Sequence, residues 1–266
     1  MPNRRNLYFF YRRDEELQEK LDPLYDLARK YDFTVVKDYR DANIIVSIGG
    51  DGTFLQAVRK TGFRGDCLYA GISTTEHLSM YCDFYINDTS KMVEAMTNEQ
   101  IEVRRYPTIE VTVDGESNFL CLNEFSIRSS IIRTFAMDVY IDELYFETFR
   151  GDGMIVATPT GSTAYNKSVN GSVVDPLLPC MQVSEIASMN NNSYRTLGSS
   201  FILSGDRILT LIVVPDGNEH PTMAMDNEAL SIKHVRKIEV KLSDRIIKTV
   251  KLKDNSFWEK VKRTFL

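Results

Sequence analysis

Residues 43–60 run Asn43-Ile44-Ile45-Val46-Ser47-Ile48-Gly49-Gly50-Asp51-Gly52-Thr53-Phe54-Leu55-Gln56-Ala57-Val58-Arg59-Lys60. A short apolar run that stops at glycines reads as a buried strand, and the residues after Thr53 have helical spacing. Strand, glycine turn and helix in immediate succession make a phosphate site. Glycine admits positive φ and lets backbone N–H groups approach an anion, and the new helix turns its first N–H groups and positive dipole end toward it. Asp51 is the discordant residue. A carboxylate in a phosphate site repels its ligand unless it holds a metal or handles the proton of a hydroxyl, and both roles point to phosphoryl transfer. The same residues also suit an ordinary tight loop, since Asp and Gly dominate turns. No Gly-Lys-Ser/Thr closes the run, so it is not a Walker loop.

On either side of this turn, strand and helix patterns alternate. Leu7-Tyr8-Phe9-Phe10-Tyr11, Phe33-Thr34-Val35-Val36 and Leu68-Tyr69-Ala70-Gly71-Ile72 read as strands, while Leu17, Leu21, Leu24, Tyr25, Leu27 and Ala28 recur at helical spacing. Alternation of this kind predicts a mostly parallel sheet covered by helices, with ligands bound beyond the carboxyl ends of its strands. From Ile101 the texture changes to short alternating segments with polar turns, which predicts an antiparallel β-rich domain. Strands are expected at Thr108–Val113, Phe119–Ile127, Met137–Ile141, Leu144–Phe149, Ile202–Leu203, Ile208–Val214, Ile238–Leu242 and Ile246–Leu252, with a hairpin turn at Asp114-Gly115. Helical stretches are expected at Gly161–Ser168 and Met181–Ser188. The tail Phe257–Leu266 reads as an amphipathic helix that docks on the first domain, because exposing Phe257, Trp258 and Phe265 is costly. The division is therefore residues 1–100 with 253–266, and residues 101–252.

The chain has 266 residues, 43% hydrophobic and 26% charged, with a net charge of −5 and no basic block. That balance fits a globular protein and argues against nucleic acid as the main partner. Cys67, Cys82, Cys121 and Cys180 show no C-x-x-C spacing, so neither a disulfide framework nor a zinc site is expected. His77, His220 and His234 have no metal-ligand spacing. The N-terminal run is too short for a signal peptide or membrane span, and the expected compartment is the cytoplasm.

Three further stretches carry chemistry. In Thr158-Pro159-Thr160-Gly161-Ser162-Thr163-Ala164-Tyr165-Asn166-Lys167-Ser168, small hydroxylated residues open a helix after a tight turn. Their hydroxyls suit a sugar or phosphate and Tyr165 offers a flat face to a ring, although an ordinary capped helix has the same composition. Asn123-Glu124 suits adjacent ribose hydroxyls, and equally a solvated strand end. Arg150-Gly151-Asp152-Gly153 is compatible with a hairpin turn.

Taken in order and spacing, Gly49-Gly50-Asp51-Gly52-Thr53, Asn123-Glu124, Gly151-Asp152-Gly153 and the Thr158–Tyr165 run resemble the NAD kinases, over nearly the whole chain. Asn166-Lys167-Ser168 and Ala187-Ser188-Met189-Asn190-Asn191 resemble most the short enzymes of Gram-positive bacteria. The first motif is shared with diacylglycerol, sphingosine and 6-phosphofructo-kinases, whereas the Thr-Pro-Thr-Gly run with Asn123-Glu124 is the selective part. The resemblance implies a Rossmann-like α/β domain, a β-rich, β-sandwich-like second domain, and a site in the crevice between them. It implies transfer of the γ-phosphoryl of ATP to the 2′-hydroxyl of the adenosine ribose of NAD, giving NADP, with a divalent ion such as Mg²⁺ carried by the nucleotide.

By the same resemblance Asp51 is the proton acceptor, and Gly49, Gly50 and Gly52 hold the donor phosphates. Asn123, Glu124, Thr160, Thr163, Ala164, Tyr165, Asn166 and Ser168 face the substrate. Arg150, Asp152 and Ala187 are contributed to a neighbouring subunit, which implies a homodimer or homotetramer with shared active sites. The chain departs from its relatives at Ser73–Met80, where two glycines and an aromatic are replaced, and at Asn170-Gly171, where Gly-Gly is usual. Met225-Asp226-Asn227-Glu228 also stands where relatives place an Asp and a variable residue. ATP and polyphosphate both remain open as donors. Two rival readings are a lipid or sugar kinase, which leaves the Thr-Pro-Thr-Gly run unexplained, and a dinucleotide sensor without turnover, which leaves Asp51 unexplained.

Overall fold

The computed structural model describes residues 5–12, 15–75, 77, 79–131, 133–215, 221–231 and 234–266. They form two compact units, one reaching Tyr106 and including Ile247–Leu266, the other spanning Pro107–Ile246. The first unit opens with β1 (Asn6–Tyr11), α1 (Glu15–Lys30), β2 (Thr34–Val35), β3 (Ile44–Ile48), α2 (Asp51–Lys60), β4 (Leu68–Ser73), β5 (Phe84–Tyr85) and α3 (Thr89–Thr97). Its strands pair in parallel in the order β2-β1-β3-β4, with β5 beside the end of β4.

Ile45, Val46, Ser47 and Ile48 are all buried, as a strand covered on both faces requires. One face packs Leu7, Phe9, Val46 and Ile72 against Leu21, Leu24 and Met92 of the helices. On the other, the rings of Phe54 and Tyr81 stack 4.7 Å apart at 2°, with Tyr69 edge-on to Phe54. The chain leaves β1 on one side for β2 and resumes on the other with β3. The carboxyl ends of β1 and β3 therefore form the switch point at which such sheets bind ligands, and the turn after Ile48 lies there.

Strand β6 (Ile101–Val113) carries the chain into the second unit. There follow β7 (Ser117–Cys121), β8 (Glu124–Arg128), β9 (Phe135–Ile141), β10 (Leu144–Gly151), β11 (Gly153–Ala157), α4 (Tyr165–Ser168), β12 (Cys180–Ile186), β13 (Phe201–Ser204), β14 (Ile208–Val213), β15 (Thr222–Met225), β16 (Glu228–Ser231) and β17 (Lys237–Leu252). One layer runs β10-β9-β14-β17, with β6 paired to β17 and β7; the other is a six-stranded antiparallel sheet in the order β13-β12-β11-β8-β15-β16. Both layers supply one apolar core, including Phe125, Met154 and Met181 from one sheet and Phe135, Leu211 and Ile238 from the other. This is the sandwich-like arrangement expected. The hairpin at Asp114-Gly115 is present, with φ of 52 and 73 at the two residues.

Several local expectations are corrected. Met181–Ser188 is not helical: Cys180–Ile186 is a strand between β11 and β13, and its first five residues are buried. Burial on both faces erases the alternation that marks a strand. Ile238–Leu242 and Ile246–Leu252 are one strand of 16 residues, because Ser243-Asp244-Arg245 stays extended, with Arg245 O accepting from Thr108 Oγ1 at 2.7 Å. Phe119–Ile127 is two strands, interrupted at Leu122-Asn123. Gly161–Ser168 begins as a 3₁₀ turn, Thr160–Thr163, before the single turn of α4. Gly151-Asp152-Gly153 is not a hairpin, since β10 ends in one sheet and β11 begins in the other.

At the far end, Lys248 and Thr249 of β17 pair in parallel with Leu68 and Tyr69 of β4, and the chain closes with α5 (Phe257–Phe265). Ser256 and Glu259 form a capping box at its start. The helix belongs to the first unit, as expected, but it docks through Phe257 and Lys260, while Trp258 stays 49% exposed. Among the described residues no helix is long and apolar enough to cross a membrane.

Candidate functional site

The first group of site residues is built on the turn from β3 into α2. Gly49 has φ +148, and a Cβ there would lie 2.4 Å from Thr53 Oγ1, so only glycine closes the turn. Gly50 is the N-cap of α2 and Asp51 its first residue. A Cβ at Gly50 or Gly52 would meet nothing within 4 Å, so no side chain crowds the turn on that side.

The Asp51 carboxylate is held from a segment distant in sequence. Its Oδ1 accepts from Ser79 Oγ at 2.5 Å and Tyr81 N at 2.8 Å, and its Oδ2 accepts from Met80 N at 3.0 Å. Two of these donors, Ser79 and Met80, end the Ser73–Met80 stretch, and Tyr81 follows it directly. At the base of that segment Ser73 Oγ donates toward Thr75 O at 3.0 Å and His77 O at 3.1 Å. A cavity of about 320 Å³ opens beside it, lined by Ser73, Thr74, Thr75, Tyr85, Asn87 and Asp88 among others.

The second group lies where β8 and β11 meet in the second unit. Asn123 O accepts from Thr158 N at 2.8 Å, Leu122 O accepts from Thr158 Oγ1 at 2.7 Å, and Glu124 pairs with Ala157. The Thr160–Thr163 turn then passes so close that a Cβ on Gly161 would lie 2.0 Å from Asn123 O. Asn123, Glu124, Thr160 and Thr163, distant in sequence, are thereby brought together, with Ala164 and Tyr165 partly exposed beside them and Ser168 exposed. Among the described residues, Glu124 Oε2 and Thr160 Oγ1 are buried without a hydrogen-bond partner. Such oxygens need a partner that the protein itself does not supply, a role a water or a polar ligand fills. Burial, and then the nearby Asp226 carboxylate, push the Glu124 carboxyl up to about 8, against a hydrogen bond from the Tyr165 backbone.

Asp226 is the residue that motif reading did not assign. It forms the β15–β16 turn with φ 53, and its carboxylate accepts from Leu122 N at 3.1 Å, Asn123 N at 2.7 Å and Glu124 N at 3.3 Å. One carboxylate thus sets the bend that presents both side chains. The available signal was an Asp-Asn pair between two short strands, which marks a hairpin with positive φ. Asn166 has a bracing place. It is fully buried, its Oδ1 accepts from Ser184 Oγ at 2.6 Å, and its Nδ2 donates to Ser162 O at 3.3 Å. Its amide is spent within the protein rather than turned to a substrate. The Asn170-Gly171 pair fits here, with Asn170 taking φ 62 and Gly171 packed against the Asn166 amide.

Arg150, Asp152 and Ala187 form a third cluster at the other end of β11. Gly153 pairs with Ile186, Asp152 N donates to Ile186 O at 2.9 Å, and Met189 N donates to Arg150 O at 2.7 Å. The Arg150 guanidinium lies 4.5 Å from the centre of the Tyr194 ring. Four residue steps along β11 separate this cluster from the strand end facing Glu124, roughly 13 Å.

The ATP-NAD kinase C-terminal domain model matches residues 122–252. The chain is 70% identical over 263 residues to NAD kinase 2 of Bacillus subtilis (strain 168), covering 99% of this chain and 98% of that one. It is 64% identical over 263 residues to NAD kinase 2 of Geobacillus kaustophilus, with the same coverage. Among solved structures it is similar to an NAD kinase from Archaeoglobus fulgidus in complex with ATP, with TM-score 0.75, 21% identity, and 97% and 99% of the two chains covered. It is also similar to yeast NADH kinase complexed with NADH, with TM-score 0.77, 19% identity, and 98% and 87% covered.

Proposed function

The chain belongs to the NAD kinase family, and from that premise we propose how its residues divide the work. It is a phosphotransferase that phosphorylates NAD with ATP, at the 2′-hydroxyl of the adenosine ribose, to give NADP. The observation that carries our assignment of roles is the Asp51 carboxylate, standing first in α2 beside three glycines and oriented by three donors.

A ribose hydroxyl is a weak nucleophile at neutral pH. A positioned carboxylate orients it and accepts its proton as the bond to phosphorus forms. Asp51 has this role, and the glycine turn with the N-terminus of α2 receives the phosphates of the donor. Asn123 and Glu124 bind hydroxyls of the acceptor. Glu124 retains its proton near neutral pH and so both donates and accepts, and the Tyr165 face, Thr160, Thr163, Ala164 and Ser168 complete the pocket for NAD. Asp51 is not a ready metal ligand, because its two oxygens already accept three hydrogen bonds from the protein. The divalent ion enters with the ATP phosphates, as part of the substrate.

The position of Arg150, Asp152 and Ala187, at the opposite end of β11 from Glu124, supports their contribution to a neighbouring subunit. We place the active form as a homo-oligomer, in the cytoplasm. The test is NADP formation from NAD and MgATP by the native chain and by Asp51→Asn. Turnover falls on the order of 10²- to 10⁴-fold while NAD binding is kept; native turnover in the variant overturns the role of Asp51.

A further inference from the structure

The peptide that orients Asp51 is itself held from behind. Lys260 Nζ, from α5, donates to Met80 O at 3.0 Å and lies 3.1 Å from the Asp83 carboxylate. Lys260 is 1% exposed and Asp83 2%. Asp83 also accepts from Asn255 Nδ2, and Asn255 Oδ1 accepts from Arg263 Nη1 at 3.1 Å. The carbonyl that receives the ammonium and the Tyr81 N–H that donates to Asp51 Oδ1 are the two ends of one peptide group.

A buried ammonium is a costly way to dock a helix. Phe257, buried on the same helix, does that by apolar contact, and replacing a buried ion pair by neutral groups is often harmless to stability. A cation on the carbonyl of a peptide does something an apolar side chain cannot. It draws charge through the amide and strengthens the N–H at the other end, by roughly 10–30% per hydrogen bond in a chain.

We propose that Lys260 is a positioning residue for phosphoryl transfer: through the Met80–Tyr81 peptide it holds and polarises the N–H that orients the Asp51 carboxylate. This rests on the reading of Asp51 as the base. The charged and titratable groups facing the pair are Asp83 and Cys82 from the segment after β4, Arg104 and Tyr106 from β6, and Asp51 itself. Loss of the ammonium weakens that N–H and loosens its hold on the carboxylate, so the base is less well oriented toward the hydroxyl.

The experiment compares the native chain with Lys260→Met/Asp83→Asn, in which the ion pair becomes two neutral groups and no buried charge is left alone. Lys260→Arg and Lys260→Gln are run beside it, and Asp51→Asn is the control. The double variant is expected to lose on the order of tenfold to a hundredfold in kcat, with KM for NAD within about twofold. Lys260→Arg moves kcat back toward native, and Lys260→Gln, a neutral donor, lies between. A folded double variant with native kcat overturns the proposal. If that variant does not fold, native kcat in Lys260→Gln overturns it. Undiminished turnover in Asp51→Asn overturns instead the reading on which the proposal stands, whatever Lys260 does.

Discussion

The Asp226 carboxylate accepts the backbone N–H of Asn123 at 2.7 Å, across 103 residues of sequence. The same carboxylate reaches the N–H groups of Leu122 and Glu124, so it is the keystone of the bend between β7 and β8. Asp226→Ala leaves these donors without that acceptor and is expected to destabilise the protein by about 2–4 kcal/mol, since orphaning a buried polar group costs roughly 1–3 kcal/mol. KM for NAD rises more than kcat falls. Asp226→Asn keeps an oxygen acceptor and a residue type that tolerates positive φ, and is expected to be the milder variant. Urea unfolding and steady-state kinetics of the pair decide it.

Glu124 makes stability depend on pH in a defined direction. Its carboxyl is raised from 4.5 to about 8, first by burial and then by Asp226. Between these values the folded chain keeps a proton that the unfolded chain has released, so this contribution favours folding least at the alkaline end. It is complete below the unfolded value and is lost as pH rises through the folded one. Glu124→Gln removes the dependence, and its Tm relative to the native chain should climb from pH 5 to pH 8. Glu147, buried beside Glu185 and also raised, adds a dependence of the same sign, which Glu147→Gln should flatten. Melting curves across the range test both.

Gly161→Ala tests the closeness of the two site segments. The new Cβ would lie 2.0 Å from Asn123 O and 2.3 Å from its carbonyl carbon, both backbone atoms that cannot swing aside. The expected cost is about 3 kcal/mol or somewhat more, at the upper end of overpacking. KM for NAD should rise at least tenfold in whatever folds, because the displaced residue carries the Asn123 side chain; an unchanged KM and Tm would show that the two segments separate freely.

The two neighbouring aromatics of α5 should behave differently. Phe257 is 4% exposed and Trp258 49%. Phe257→Ala is expected to cost about 3–5 kcal/mol and Trp258→Ala less than about 1 kcal/mol. Chemical denaturation of both variants checks this, with far-UV dichroism as the probe, since Trp258 is the one tryptophan of the chain.

The turn at Gly49–Gly52 was legible because everything that shapes it is contiguous: an apolar strand, a glycine at position 49 where a Cβ would strike Thr53, and a helix that begins at Asp51. The mostly parallel character of the first sheet and the hairpin at Asp114-Gly115 were legible for the same reason. Strand β12 was misread because burial on both faces removed its alternation, and β17 because a polar triplet inside it resembles a turn.

Sequence alone determined the kinds of unit, the phosphate turn and the residues able to do phosphoryl chemistry, since each depends on neighbours along the chain. Only tertiary structure decided what orients them. Ser79, Met80 and Tyr81 grip Asp51, Lys260 backs that grip from α5, Asp226 bends the chain at Asn123, and Asn166 is turned inward as a brace. These relations join groups 18 to 180 residues apart. A hydrogen bond depends on distance and angle in space, and no local pattern encodes which distant donor will arrive within 3 Å of a given carboxylate.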